Sequence, residues 1–407
     1  MAEKRKISSV NPVIEKTLKA VLKMIFKRLF NLKLDMPREV VELEPPYVLL
    51  PVHQGFWDPF LAGSYLKDPV YYITSDAVFR GKLFGFLLKF LGAIPKTKSQ
   101  SDLDALKNIF EMKDSGRSIG IFPEGQRTWN GTTLPLIKST SKLVRMLKLP
   151  VVTVVFKGGY FSHPRWGTST RKGELRVEYK LLFKGDEVGS MKVDDIHNAM
   201  TEALAHDEIE YQKKIRMVWK TGRLAENMEQ ILFVCPSCGS FDGFTSRGDN
   251  FKCTSCNNEW HVDKFQDISA VEGETKFDNI RDWDLWQIKQ MQARIDEFFE
   301  TEQTVFHIKS VEFQTGYKTE KPKVLGKGSL SLTTGHMILK DSDGAELKKI
   351  PVTDITGINV QNRNILDFYY DGTLFIIQDN GNHLNSYMFW KAVDDLQRRK
   401  YQMNLPD

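Results

Sequence analysis

A chain of 407 residues is long enough for two or three domains, and 41% hydrophobic with 27% charged residues is the balance of an ordinary globular protein, not of a disordered or fibrous one. The formal charge is +5, yet residues 1–40 alone carry ten Lys or Arg against four Asp or Glu, so the remainder is about neutral. That distribution excludes a chain-wide nucleic-acid-binding surface and points to an acidic surface as the partner of the N-terminal segment.

No stretch reaches the roughly 18 uninterrupted apolar residues of a membrane span, so no transmembrane helix is expected. The first apolar run is broken by Lys every few positions, unlike a cleavable signal, which predicts synthesis and residence in the cytoplasm. Residues 13–33, within a basic segment 1–40, read as an amphipathic helix. Ile14, Leu18, Val21, Leu22, Ile25 and Leu29 share one face, and Lys16, Lys19, Lys23 and Lys27 gather opposite. Such a helix can lie in the head-group layer of an anionic membrane, or pack on the domain with its lysines solvated.

Tyr47 to Val52 and Ser118 to Phe122 are short apolar runs that predict buried strands of a parallel sheet. Each leads into a loop with chemistry: His53-Gln54-Gly55-Phe56-Trp57-Asp58-Pro59 after the first, and Pro123-Glu124-Gly125-Gln126-Arg127-Thr128 after the second. Groups that follow such strands sit at the carboxyl edge of the sheet, where open α/β folds bind ligands, so the two loops are expected to share one cleft. Asp58 reads as a helix N-cap with Pro59 at the first helical position. His53 then lies in the preceding turn, near enough for Asp58 to accept one ring N–H. An imidazole held in one tautomer can take a proton from an alcohol near neutral pH. Glu124 stands beside Gly125, which lets backbone approach a ligand closely, and Arg127 offers a fork suited to phosphate. Alone, a His among aromatics is more often structural, and Pro-Glu-Gly is more often a surface turn. On either piece alone the structural reading is the commoner one.

Phe79 to Leu91 is apolar almost without relief and reads either as a buried helix or as the wall of an apolar tunnel beside the site. A helix is predicted over Ser101 to Lys113, with Ser101 as cap and Asp102 and Asp104 in its first turn. Another is predicted over Leu136 to Leu147, followed by a strand from Val151 to Phe156. Lys192 to Trp219 reads as largely helical. The alternation from Tyr47 to Phe183 is that of an α/β domain spanning 41–220.

These residues resemble the glycerophospholipid acyltransferase family, of the 1-acyl-sn-glycerol-3-phosphate acyltransferase type. The matching blocks are His53 to Pro59 and Phe122 to Arg127, the Gly-rich turn Leu91-Gly92-Ala93-Ile94-Pro95-Lys96-Thr97-Lys98 between them, and the proline-led strand Pro150 to Val155 after them. The family usually places Asn before the His and Ser two after it, where this chain has Val52 and Gly55. Lys98 stands in place of a common Arg, and Gln126 in place of a common Thr. The resemblance implies direct transfer of an acyl group from a coenzyme A or acyl carrier protein thioester to the free hydroxyl of a lysophospholipid, with 1-acyl-glycerol-3-phosphate as the first-choice acceptor. It casts His53 as general base and Asp58 as the group that holds it. Glu124, Gly125, Arg127, Lys96 and Lys98 would bind the acceptor and its phosphate. A membrane-resident substrate favours the membrane-docking reading of residues 1–40, and with it a peripheral or monotopic place on the cytoplasmic face.

Cys235-Pro236-Ser237-Cys238 and Cys253-Thr254-Ser255-Cys256 contain all four cysteines of the chain. Two Cys-x-x-Cys turns supply the tetrahedral thiolate set that zinc prefers, and the spacing resembles a zinc ribbon over 231–262, with a structural metal because four Cys leave no open position; disulfides or redox exchange are the weaker alternatives in a reducing compartment. Between the knuckles, Arg247 and Lys252 face Asp242 and Asp249, which provides no basic stripe for nucleic acid. A charged helix from Asp282 to Phe299 forms a connector within 263–303.

From residue 304 the texture changes to short strands: Val305 to Phe313, Gly328 to Thr333, His336 to Lys340, Glu346 to Ile350, Thr353 to Val360, Ile365 to Tyr370 and Thr373 to Gln378. Turn pairs such as Asp343-Gly344 and Asp371-Gly372 separate several of them. A final helix from Tyr387 to Lys400 places Phe389, Trp390, Val393 and Leu396 on one side. Seven strands and a C-terminal helix resemble the pleckstrin-homology-like superfamily, especially its GRAM members, some of which bind phosphoinositides and others proteins. Lys318, Lys321, Lys323 and Lys327 could meet a phosphate or form a solvated turn. The expected architecture is therefore an α/β acyltransferase domain, a small zinc ribbon and an all-β PH-like domain with a C-terminal helix. Three rivals to the leading function stand beside it: acylation of another lysolipid, a non-catalytic lipid-binding scaffold, and a nucleic-acid-linked regulator working through the ribbon.

Overall fold

The computed structural model describes residues 12–75, 93–96, 103–241, 243–317, 321–379, 381 and 384–403. The chain divides into two compact units, the first covering most of residues 1–221 and the second residues 222–407, with Trp166–Thr168 grouped with the second.

The first unit is built on a seven-stranded sheet of β1 (Asn31–Asp35), β2 (Val48–Pro51), β3 (Val70–Ser75), β4 (Ile94–Lys96), β5 (Ser118–Gly120), β6 (Val151–Lys157) and β7 (Glu174–Phe183). Their spatial order is β1-β7-β6-β2-β5-β3-β4. Strands β2 to β6 run parallel to their neighbours, β7 is antiparallel to β6, and β1 is parallel to β7. Every residue of β2 is buried, as a strand covered on both faces must be. Its register, Val48 opposite Ile119 on one side and Val151 on the other, ends β2 and β5 side by side. The loops carrying His53 and Glu124 therefore leave the same edge. The longer helices of the unit are α1 (Pro12–Leu29), α2 (Asp58–Ser64), α3 (Leu103–Asp114), α4 (Lys138–Leu147), α5 (Val193–Leu204) and α6 (Glu208–Ile215), beside single helical turns at Arg38–Val41, Gly159–Ser162 and Gly185–Val188.

Two expectations change here. The N-terminal helix stops at Leu29, and residues 31–33 belong to β1, whose Asn31 N donates to Gly173 O at 2.9 Å. The apolar face of α1 is also rotated from the one read in the sequence. Phe26 is fully buried with its ring edge-on to Trp57 at 5.7 Å, while Val21 is 42% exposed. Leu22, Ile25 and Leu29 join the core, and burying Phe26 alone stabilises this packing by roughly 1.5–3 kcal/mol. Lys19 Nζ donates to the carbonyls of Leu66 and Lys67 at 3.1 and 3.3 Å, and Lys23 lies over the Tyr65 ring. Two of the four lysines expected to stand free thus hold the helix to the domain. The apolar run Phe79 to Leu91 lies outside the described residues, as do Lys98, Ser101, Asp102 and Lys318.

The second unit contains two sheets. Four antiparallel strands, β8 (Phe244–Arg247), β9 (Asn250–Cys253), β10 (Glu259–Val262) and β11 (Ile268–Ala270), are ordered β11-β10-β9-β8. Seven more, β12 (Thr304–Gly316), β13 (Lys323–Thr333), β14 (His336–Asp341), β15 (Glu346–Pro351), β16 (Thr356–Gln361), β17 (Ile365–Tyr370) and β18 (Thr373–Gln378), form an antiparallel sheet of order β15-β14-β13-β12-β18-β17-β16. The C-terminal helix α8 (Ser386–Met403) packs on β16 and β17. These are the seven strands and helix expected. The residues Val352–Asp354 are a 3₁₀ turn, not the start of β16, because Pro351 closes β15 just before them.

Helix α7 (Ile280–Phe298) is more than a connector. Its Trp283 is fully buried against Trp260 and Phe251 of the small sheet and donates through Nε1 to Val234 O at 3.1 Å. Further along, Gln287 takes Phe233 N and gives Nε2 to Ile231 O, and Asp284 accepts from Tyr387 of α8 at 2.9 Å. One helix therefore contributes to the packing of both sheets.

Candidate functional site: the cleft at the carboxyl edge of β2 and β5

His53 follows β2 directly, and α2 begins five residues later. Asp58 was expected to cap that helix, but Trp57 occupies the cap position with no side-chain bond, and Asp58 is the first helical residue. Its carboxylate turns back into the loop instead. Asp58 Oδ2 accepts from His53 Nδ1 at 2.9 Å, Gln54 N at 2.6 Å and Gly55 N at 2.8 Å. Asp58 is 2% exposed, so these three donors replace the water that a buried carboxylate would otherwise need. With Asp58 as acceptor, the ring proton sits on Nδ1 and Nε2 presents its lone pair. The His53 side chain remains 22% exposed, enough to meet a ligand. Burial lowers its pKa below the ordinary value of 6.5; the Asp58 contact opposes that shift, and the charges of Arg127 and Arg165 add to it. The imidazole is consequently neutral at pH 7, the form that accepts a proton.

The second loop is tied to the first through its backbone. Glu124 Oε1 accepts from His53 N at 2.6 Å, Oε2 accepts from Leu134 N at 2.7 Å, and Thr128 N donates to His53 O at 2.9 Å. Glu124 is buried, and burial pushes its carboxyl up to about 8 while the two amide bonds pull it down. Its place is thus to fix the loops. Gly125 turns the chain at φ +72°, a conformation that demands glycine; a Cβ there would meet only the mobile tip of the exposed Ile137 side chain at 2.6 Å. The Phe122 ring stacks on His53 at 4.0 Å and on Tyr72 at 5.7 Å, forming the floor under the imidazole. Burial lowers the pKa of Arg127 and the Asp58 charge raises it, which places this guanidinium within electrostatic reach of the His53–Asp58 pair.

The structure therefore brings His53, Asp58, Glu124, Gly125 and Arg127 to one edge of the sheet. Lys96 is the last residue of β4, paired with Ser75, and its side chain is outside the described set, as is the whole of Lys98. A third wall escaped the sequence reading. Residues 158–165 follow β6, and a Cβ on Gly159 would lie 2.3 Å from Gln54 Oε1, so this strap rests on the His53 loop. Tyr160 OH donates to Trp129 O at 2.8 Å, joining the strap to the other loop. The signal available was the run His163-Pro164-Arg165-Trp166, a rigid turn with a cation next to an aromatic, immediately after the last strand of the parallel set.

In the second unit the four cysteine sulfurs lie within 4.8 Å of one another. Cys235 Sγ is 3.7 Å from Cys256 Sγ, and Cys238 Sγ is 3.8 Å from Cys253 Sγ. Neighbouring ligands of a tetrahedral ion with metal–sulfur bonds of about 2.3 Å stand about 3.8 Å apart, whereas a disulfide requires about 2.05 Å. Each knuckle closes on itself: Gly239 N donates to Cys235 O at 2.9 Å, and Asn257 N to Cys253 O at 3.0 Å. The donor set fits a tetrahedral metal centre.

Comparison with known proteins agrees with the first unit. Residues 34–157 match the acyltransferase family model. A 1-acyl-sn-glycerol-3-phosphate acyltransferase of Bacillus subtilis is 24% identical over 180 residues, which is 44% of this chain and 87% of that protein. A chloroplastic 1-acyl-sn-glycerol-3-phosphate acyltransferase of Brassica napus is 27% identical over 164 residues, 40% of this chain and 47% of that protein. Among solved structures, the lysophosphatidate acyltransferase PlsC of Thermotoga maritima aligns at 16% identity and a TM-score of 0.43, over 51% of this chain and 82% of that one.

Proposed function

We propose that this protein is a membrane-surface O-acyltransferase that esterifies the free hydroxyl of a lysophospholipid, with 1-acyl-glycerol-3-phosphate as the preferred acceptor and phosphatidate as the product. The observation that carries this reading is the 2.9 Å contact of His53 Nδ1 with Asp58, which leaves Nε2 open, within the electrostatic reach of Arg127, at the edge where α/β sheets bind ligands. In the reaction, Nε2 takes the proton of the acceptor hydroxyl as its oxygen bonds to the thioester carbonyl. The C–S bond then breaks, and the thiolate leaves with the proton from His53. No acyl-enzyme forms. Arg127 neutralises the acceptor phosphate, and the Glu124–Gly125 turn holds the glycerol backbone in line. The thioester is carried by coenzyme A or by an acyl carrier protein.

Several further assignments belong to this reading. Among the described residues, no helix is long and apolar enough to cross a membrane. Docking of the N-terminal region on an anionic cytoplasmic membrane surface is supported by exposed Met24 and Val21 beside Lys27 and Arg28 on α1, and by Phe56, 43% exposed next to the site. The cysteine cluster would hold one structural zinc in a ribbon module, and the seven-stranded sheet with α8 would act as a PH/GRAM-like module for a protein or phosphoinositide ligand. The test is acyl transfer by the purified full chain in mixed micelles, with a panel of lysophospholipids and both thioester donors, products being read by mass spectrometry. A product from the wild type that is absent with His53→Ala is expected. Equal product from a folded His53→Ala protein refutes the assignment.

A further inference from the structure

Arg165 is 5% exposed, and its guanidinium lies 4.7 Å over the ring of Trp129. Its Nη1 donates to the backbone carbonyl of Arg127 at 3.0 Å. One side chain thus grips the acceptor loop at two points two residues apart. The strap that carries it is itself seated on the other loop through Gly159 and Gln54. Arg165 is in a position to set where Arg127 stands relative to His53.

Its charge matters as much as its contacts. The groups that act on the His53 imidazole are the Asp58 carboxylate from its own loop, the Arg127 guanidinium from the loop after β5 and the Arg165 guanidinium from the strap. Glu124 meets the backbone of His53, and burial favours its neutral form at pH 7; Phe122 supplies an uncharged face. Among the described residues, two cations against one carboxylate leave the cleft net positive. A phosphate monoester carries about −1.5 to −2 near neutral pH, with its second pKa about 6, whereas a phosphodiester carries a single negative charge. The Coulomb gain in the same site is correspondingly larger for the monoester.

We propose that Arg165 is a positioning residue of the acceptor site: it fixes Arg127 and adds to that guanidinium a positive charge that selects a lysolipid bearing a phosphate monoester over one bearing a phosphodiester. This rests on the acyl-transfer reading above. It names a residue outside the four blocks, and it accounts for the acceptor class by charge count.

The experiment compares the wild type, Arg165→Met and Arg165→Lys as full chains in mixed micelles with one acyl thioester. The acceptors are 1-acyl-glycerol-3-phosphate, lysophosphatidylglycerol and lysophosphatidylcholine. For Arg165→Met, kcat/KM with the monoester is expected to fall about tenfold or more, chiefly through KM, and the monoester-to-diester ratio by about the same factor. The acid limb of its pH profile should move to higher pH, because a charge that opposes protonation of His53 is gone. Arg165→Lys keeps the charge, so its ratio and acid limb should stay near wild type even where packing on Trp129 costs overall rate. It also covers the case in which the methionine variant folds poorly. Equal losses on all three acceptors with an unmoved acid limb in both variants would overturn the proposal and make Arg165 a packing residue. A parallel calorimetric titration of 1-acyl-glycerol-3-phosphate into His53→Ala and into His53→Ala with Arg165→Met reads binding without turnover. No turnover on any acceptor, with monoester binding still dependent on Arg165, would overturn the acyl-transfer reading and leave the arginine assignment standing. Absence of both turnover and binding overturns the two together.

Discussion

The cleft in the first unit and the cysteine cluster in the second are both sites where polar groups converge, but they are assembled by different means. Each cysteine pair sits on one tight turn that closes through its own backbone, so only two local structures must meet to complete the donor set. The cleft needs three walls from residues 53–58, 122–131 and 158–165, held in place by the register of β2 with β5 and β6. Its chemistry resides in no single segment. On the proposed zinc reading, the cysteine site should accordingly fail as one event when the ion is lost, and the cleft should lose function in graded steps as its contacts are removed one at a time.

The largest expected effect comes from the metal. Binding free energy of a structural zinc is folding free energy, on the order of 10 kcal/mol for small modules. Elemental analysis should find one zinc per chain, and stripping it, or Cys253→Ser, should erase the near-ultraviolet signal of the Trp260–Trp283 pair. The loss should extend to the contacts that α7 makes with Phe233 and Tyr387. A metal-free protein with that signal intact would remove the contrast between the two sites.

Next comes Asp58→Asn. It replaces the carboxylate shared by three donors with a neutral amide that has one accepting oxygen, which weakens the hold on the His53 tautomer and removes the charge behind it, so kcat/KM should fall by about 10²- to 10⁴-fold. The same change deletes a charge that raises the His53 pKa, so the residual activity should show its acid limb at lower pH.

A smaller effect is expected of Glu124→Gln. An amide cannot accept with its nitrogen, so either His53 N or Leu134 N loses its partner, at about 1–3 kcal/mol measured by denaturant titration. The sign of the pH dependence follows from the raised carboxyl. The native state holds that proton more tightly than the unfolded chain, so the stability it contributes is full below about 4.5 and is lost as pH rises through about 8. The difference between wild type and Glu124→Gln should therefore narrow from pH 5 to 8. The smallest effect belongs to Tyr72→Phe. Its hydroxyl has no hydrogen-bond partner among the described residues, and its ring does the stacking, so stability should change by about 0.5 kcal/mol or less and turnover should hold.

Much of this was legible in the sequence, and the exceptions have physical causes. Strand positions were clear wherever apolar runs were short and bounded by turns, as from Ile365 to Tyr370 and from Thr373 to Gln378. Histidine, its Asp and the Glu-Gly turn stood out because their spacing within each loop is local. The phase of helix α1 is not fixed by periodicity, which does not say whether Val21 or Phe26 faces inward; the T-shaped contact with Trp57 decides that, and Trp57 is distant in sequence. Asp58 was placed at the cap because Asp-Pro starts helices, whereas three donors in its own loop compete for the carboxylate and win. Arg165 was invisible because its value depends on Trp129 and the carbonyl of Arg127, contacts that only the tertiary fold creates.

The most direct measurement is the pH dependence of kcat/KM for acyl transfer to 1-acyl-glycerol-3-phosphate by the wild type and by His53→Ala. A wild-type acid limb below the ordinary histidine value of 6.5, with turnover lost by at least about 10²-fold in the variant at every pH, is the predicted result. A profile with no acid limb, or a folded His53→Ala protein that follows the wild-type curve, would contradict the assignment of His53 as the base.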